Sequence, residues 1–280
     1  MENLGFISAF LAALFWGSYV VPFRKSGSRN TTQFQVLMTV GIFVFSLIAS
    51  FVLRYPLNLN FYGIAGGLIW GLANAMSLVA VSNLGISRAM PIWVSMVILT
   101  SFAWGAFFFH ELPKGIFLGM GGVFLIVLSI ILIGSMGNAT GKKVGKGILL
   151  AILTGVLFGS SLTPQRLGNL DTQTYFFPMA SGILLFGIIS SLIKRAKFEK
   201  KAVIGSLISG GIWGVGNLLA ITSVSLIGLA KGLPLTQAAV LISVLWGVFY
   251  FKEITKRKEI VKVIVGAIVL ISGIIILSLA

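Results

Sequence analysis

Charged and turn-rich breaks cut the chain into ten apolar runs, near residues 4–22, 34–53, 61–83, 90–109, 115–135, 147–164, 174–193, 202–226, 233–252 and 260–279. A helix rises roughly 1.5 Å per residue, so about 20 apolar residues cross a hydrocarbon core about 30 Å thick. Lipid offers the backbone no hydrogen-bond partner, and a run that satisfies its own N–H and C=O groups within the bilayer is helical. The pattern therefore predicts an all-α membrane protein with ten transmembrane helices. No gap between runs is long enough for a soluble domain. Glu2 stands where a secretory signal would carry basic residues, so the first run is expected to be a retained span.

The last five runs repeat the first five. "ALFWGSYVVPFR", ending at Arg24, matches "GVLFGSSLTPQR", ending at Arg166, and keeps Gly17/Gly159, Ser18/Ser160 and Pro22/Pro164. Residues 67–92 and 210–235 share nine of 26 positions, among them Trp70/Trp213, Asn74/Asn217 and Pro91/Pro234. "WGAFFFHEL" from Trp104 echoes "WGVFYFKEI" from Trp246. Five helices per copy is an odd number, so the copies must cross the membrane in opposite senses. That is the inverted repeat of many secondary transporters. The expected division is residues 1–140 for the first five-helix repeat and 141–280 for the second.

Charge sets the orientation. If the loops are assigned alternately to the two sides, one side holds only Arg54, Lys114, Arg166 and Lys231 of the chain's 21 Lys and Arg, leaving 17 on the other. By the positive-inside rule the basic side is cytoplasmic and both termini lie outside, in a multi-pass protein of the cell membrane. The same pattern disposes of another reading of the net charge of +15: the cations sit in short gaps between apolar runs and form no basic face, so nucleic-acid binding is not expected. With 57% hydrophobic and 10% charged residues and a mean hydropathy of +1.05, the composition suits a bilayer rather than water. There is no cysteine, hence no disulfide or thiolate site.

Within the runs, polar residues are scarce enough to single out. Trp70 and Asn74 lie four apart, as do Trp213 and Asn217, so each pair shares a helix face. An amide in hydrocarbon needs a partner or a wet cavity, which points both Asn inward. An indole can cover the C–H face of a sugar ring while an amide exchanges hydrogen bonds with its hydroxyls. The pairs thus suit a neutral polyol, although Asn as packing glue between helices stays open. Trp16, Trp93, Gln165 and Gln237 complete the candidate substrate-binding set, with Trp16 and Trp93 equally readable as belt residues at the lipid interface. Gly67/Gly71 and Gly210/Gly214 are expected to admit neighbouring helices closely, and Gly17 with Pro22 and Gly159 with Pro164 to break runs 1 and 6. Trp104 and Trp246 read as packing, and Arg88 and Lys231 as matched rim residues.

No acid falls near the middle of a run, so no carboxylate relay for proton coupling is visible. Glu111 and Glu253, at matched helix ends, read as solvated anchors, and His110 as incidental. Phosphate-cradling glycine loops, metal-spaced ligands and nucleophile–base sets are missing, so neither enzyme nor cofactor is expected.

Together the stretches "GLIWGLANAMSLVAVSNLGISRAMPI", "GGIWGVGNLLAITSVSLIGLAKGLPL", "FFFHEL", "YFKEI" and "FWGSYVVPFR" resemble the glucose/ribose porter family of the drug/metabolite transporter superfamily. The likeness covers essentially the whole chain. It implies ten helices in two inverted five-helix copies, a central site between the halves, and sugar uptake that in some members is considered proton-coupled. Two other readings stay open: an exporter of amino acids or other small metabolites from the same superfamily, and a scaffold or lipid-handling protein whose basic face meets anionic membrane lipids.

Overall fold

The computed structural model describes residues 2–27, 30–84, 86–112, 115–134, 144–194, 199–250 and 257–280. Every regular element among them is helical. The first run is split into α1 (Glu2–Ser18) and α2 (Val21–Lys25); α3 (Thr31–Leu53), α4 (Phe61–Leu84) and α5 (Ile86–Ala103) follow. A π-helical turn (Trp104–Phe108) extends α5, and α6 is Ile116–Gly134. The later elements are α7 (Val144–Ser160), α8 (Thr163–Leu167), α9 (Thr172–Lys194), α10 (Lys200–Thr236), α11 (Ala239–Leu245) with a second π-helical turn (Trp246–Tyr250), and α12 (Arg257–Ser278).

Six helical segments among the described residues are long and apolar enough to cross a bilayer: Glu2–Lys25, Thr31–Leu53, Phe61–Val81, Val144–Leu167, Thr172–Ile193 and Lys200–Ser243. Shorter apolar helices cover Ile92–Phe108, Ile116–Leu132 and Ile264–Ser278. Side chains such as Phe51, Phe117, Ile193 and Phe249 stand three-quarters or more exposed. An apolar surface of that kind belongs in lipid.

The helix breaks fall where the sequence marks them. Pro22 occupies the first turn of α2 and Pro164 that of α8, the one place where a residue without an N–H costs a helix nothing. Between runs 8 and 9, in contrast, the expected loop at 227–232 shrinks to a kink at one residue: Gly228, at φ 78° and ψ 173°, divides α10 into two helices, bringing Gly232 against the Val224 backbone. A side chain would be strained in that conformation. The glycine 143 positions earlier, Gly85, falls between α4 and α5 and lies outside the described residues.

Packing follows an exchange pattern. α1 packs on α10 and α7 on α4; α3 packs on α10 and α9 on α4; α1 meets α11 and α7 meets α5; α6 pairs with α12. Glycines allow the closest of these crossings. A Cβ on Gly41 or Gly210 would collide with the facing backbone across the α3–α10 contact, and one on Gly67 or Gly182 would do so across α4–α9. Gly71 abuts Phe186 and Gly214 abuts Phe45, so the small-residue expectation holds at all four positions it named. The central core gathers Met38, Ile42, Trp70, Tyr175, Phe176, Met179 and Trp213, while a second core joins α5, α6 and α12 through Ile98, Ile126, Ile130 and Leu270.

Candidate functional site

The repeated indoles meet at the middle of the bundle. Trp70 on α4 and Trp213 on α10 are both buried, with ring centroids 4.4 Å apart at 51°. Trp16 stacks on Trp213 at 5.7 Å and 15°, and Phe158, the residue matching Trp16 in the second copy, lies 5.9 Å from Trp70. Trp16 also donates its Nε1–H to the Trp213 carbonyl at 3.3 Å. Four rings thus form one continuous stack across the centre, and Trp16 belongs to it rather than to an interface belt. Contacts of this kind contribute roughly 0.5–1.5 kcal/mol each beyond burial.

The two asparagines differ. Asn217 is fully buried and donates Nδ2–H only to the thioether of Met179, at 3.6 Å. Sulfur is a weak acceptor, so this amide is poorly compensated for a buried group. Asn74 is half-buried, and its amide has no side-chain hydrogen bond among the described residues. Gln165 is fully buried on α8; its Nε2 donates to Ser225 Oγ at 2.7 Å and lies 3.4 Å from the Ile221 and Leu170 carbonyls, while its Oε1 is unpartnered. Thr172 Oγ1 lies 3.3 Å from the same Ser225 hydroxyl. Hydroxyls and an amide therefore converge beside α10 on the Asn217 side of the indole stack.

Two of the eight expected residues stand apart. Trp93 packs against the second core and against the Leu84–Ala151 cluster, its backbone pressed by Gly155. Gln237 is buried in the turn after α10, where Nε2 donates to Thr236 Oγ1 at 3.0 Å. Sequence reasoning also passed over Gln35, buried on α3 with neither amide atom partnered. Its signal was there to read, an amide at the start of an apolar run.

Trp104 and Trp246 do more than pack. Trp104 Nε1–H donates to Ser160 Oγ at 3.0 Å and Trp246 Nε1–H to Ser18 Oγ at 2.8 Å, so each π-helical turn is tied to the end of the helix before a proline break in the other sequence copy. π-Helical turns recur at functional sites.

Glu111 requires a correction. It is not a solvated anchor: its side chain is only 8% exposed. Oε2 accepts the Ala230 N–H at 2.8 Å, just past the Gly228 break, and Arg166 Nε lies 3.0 Å from Oε1, at ion-pair range though without the alignment of a hydrogen bond. Matched ends did signal it, since both copies write Arg after the break and Glu after the π-helical turn. Glu253 lies outside the described residues, as does the Arg88 side chain. Lys231 sits 3.9 Å from Glu2.

The ends of the bundle are unequally closed. Towards Glu111, residues 161–165 are buried throughout; at the end marked by Arg24, of the matching residues 19–23 the first four are half-buried and Phe23 is buried.

Comparison with known proteins bears on what this arrangement serves. A family model described as "Sugar transport protein" matches residues 7–280. The chain is 30% identical over 282 residues to the "Glucose uptake protein GlcU" of Bacillus subtilis, covering 97% of each. It is also 30% identical to the "Probable glucose uptake protein GlcU" of Staphylococcus epidermidis, covering 99% of each. One solved crystal structure superposes with a TM-score of 0.78 over 100% of this chain and 98% of that one, at 14% identity, a likeness of fold alone.

Proposed function

The chain belongs to the sugar transport protein family, and from that premise we propose that it is a secondary transporter that takes up a monosaccharide by alternating access. The observation that carries the reading is the central stack. The indoles of the two sequence copies meet there, each backed by an aromatic of the opposite copy and followed by an amide four residues on. In this conformation the indole faces cover one another. A sugar would replace that contact, its C–H face against Trp70 or Trp213 and its hydroxyls on Asn74, Asn217 and Gln165.

We read the architecture as ten spans in two inverted halves, residues 1–140 and 141–280. Five of the long apolar segments serve as single spans, and the 44-residue segment Lys200–Ser243, broken at Gly228, supplies two. The three shorter apolar helices bring the number to ten. The exchange pattern of helix pairs supports the inversion, and the loop charges support external termini with basic, lipid-facing loops in the cytoplasm. Such a protein needs no enzyme chemistry. Glu111 is the one buried carboxylate among the described residues, so any coupling to protons must contend with its engagement by Arg166 and Ala230.

Uptake by purified protein in liposomes tests the reading, across a panel of pentoses and hexoses with and without an imposed proton gradient. Saturable, competitive uptake of at least one monosaccharide is expected. Counterflow of amino acids with no sugar flux would overturn it in favour of a metabolite exporter.

A further inference from the structure

The chain is built to return one carboxylate to the bundle. After the π-helical turn Trp104–Phe108, His110 takes a left-handed φ of 54°, and Glu111 N donates back to the Gly105 carbonyl at 3.0 Å. That reversal points the Glu111 side chain at the α10 break rather than at water. Beyond Gly228 the first N–H groups of the resumed helix lack partners four residues back, and the helix end is electropositive. The carboxylate answers both needs through Ala230 N, and Arg166 supplies the opposing full charge. Arg166 is itself held over the Phe109 ring at 5.9 Å. Nothing larger than hydrogen fits at either glycine: a Cβ on Gly105 would strike Ala230 N, and one on Gly228 would meet the carboxylate at 2.5 Å.

Three separate elements are therefore joined by one side chain: the end of the α5 π-helical turn, α8, and the break in α10. The polar cluster described above adjoins the joint along the chain. Gln165 precedes Arg166 in sequence, and its partner Ser225 stands three residues before Gly228. Among the described residues, other charged or titratable groups assigned to this end include exposed His110, Arg54, the Lys231–Glu2 pair, buried Tyr175, and Asp171, which caps α9.

We propose that Glu111 is the latch of the extracellular mouth: its carboxylate holds the resumed half of α10 and Arg166 together over the Gln165–Ser225 hydroxyl-binding cluster and must release them before sugar can load. The proposal rests on the carrier reading and its sidedness. Glu111 is thus a positioning residue, acting on substrate only through the elements it holds shut. A carboxylate engaged by a backbone N–H and a guanidinium can be exchanged for water as a unit, so the mouth has two states rather than a gradual loosening.

The test uses the full chain, which has no cysteine of its own. Ser225→Cys places a thiol beside the joint, and a membrane-impermeant maleimide is added from outside to oriented vesicles. Glu111→Gln keeps the shape but removes the charge, and roughly tenfold faster labelling is expected. The same substitution without the cysteine should lower the KM for external sugar about threefold while maximal uptake falls, because a larger share of carriers waits open to the outside. A merely structural residue would lower maximal uptake with the amount of folded protein and leave KM unmoved. Arg166→Gln, at a half-exposed side chain, provides a second variant with the same direction. Labelling unchanged in both variants, or accelerated only from the cytoplasmic side, overturns the proposal. Labelling needs no sugar, so a failure to find a transported monosaccharide would be told apart from a failure of the latch.

Discussion

Residues 161–164 and 19–22 hold the same place in the two sequence copies, each following a Gly-Ser pair and ending at a proline, yet the first stretch is buried and the second half-open. Local sequence does not explain it: "SLTP" is more polar than "YVVP" and is the more deeply buried. The difference comes from what closes over each. Tyr175 Oη–H donates to the Ser161 carbonyl at 2.9 Å and Gly66 lies against the same carbonyl, while next in the chain Arg166 is paired with Glu111, which also accepts the Ala230 N–H. The two stretches therefore differ in burial although their sequences correspond. The copies have also diverged chemically, since Phe23 stands where the second copy places Gln165.

The sharpest way to break the comparison is at the helix crossings, where the two copies remain equivalent. Gly210→Leu forces a side chain into the Met38 and Gly41 backbone, and Gly67→Leu forces one into that of Met179 and Gly182. Both should cost about 3 kcal/mol or more and eliminate most folded protein, read as the monodisperse peak of purified material, whereas Gly211→Leu, with open space around it, should be silent. Unequal costs at Gly67 and Gly210 would show the crossings are not equivalent. At the site itself, Asn74→Ala and Asn217→Ala should each reduce sugar flux at least roughly tenfold if both amides bind hydroxyls. Only Asn217→Ala should also lower the thermal midpoint, because only Asn217 is packed within the core. Accessibility probes the unequal ends directly. Tyr19→Cys should react roughly tenfold faster from the cytoplasmic side than Ser161→Cys does from outside, and equal rates would remove the asymmetry. The smallest effect belongs to the matched indole bonds. Ser160→Ala and Ser18→Ala each lose a Trp partner and should cost about 0.6–1 kcal/mol, a thermal shift of a few degrees.

Much of the fold was legible because its determinants are local. Apolar length gives the helices, and Pro22 and Pro164 place the breaks within a residue or two. The paired Trp and Asn were legible as inward because lipid tolerates neither an idle amide nor repeated coincidence. Trp16 was undecided, and the surroundings of Trp93 and Gln237 were not legible, because which face of a span looks to the centre depends on neighbours far along the chain. The missing loop at Gly228 escaped because a single positive-φ glycine leaves no polar stretch to read.

What the sequence determined alone is therefore a bilayer protein of apolar helices written in two similar copies, since hydrophobic length and repeated motifs act residue by residue or run by run. Tertiary structure decided which end is closed and which acid is buried. Glu111 meets Ala230 across 119 positions and Arg166 across the two sequence copies, and a carboxylate at a helix end is solvated or sealed only by what folds over it. Burial of a charge is a property of the assembled bundle, because its cost and its compensation both come from groups that the sequence holds far apart.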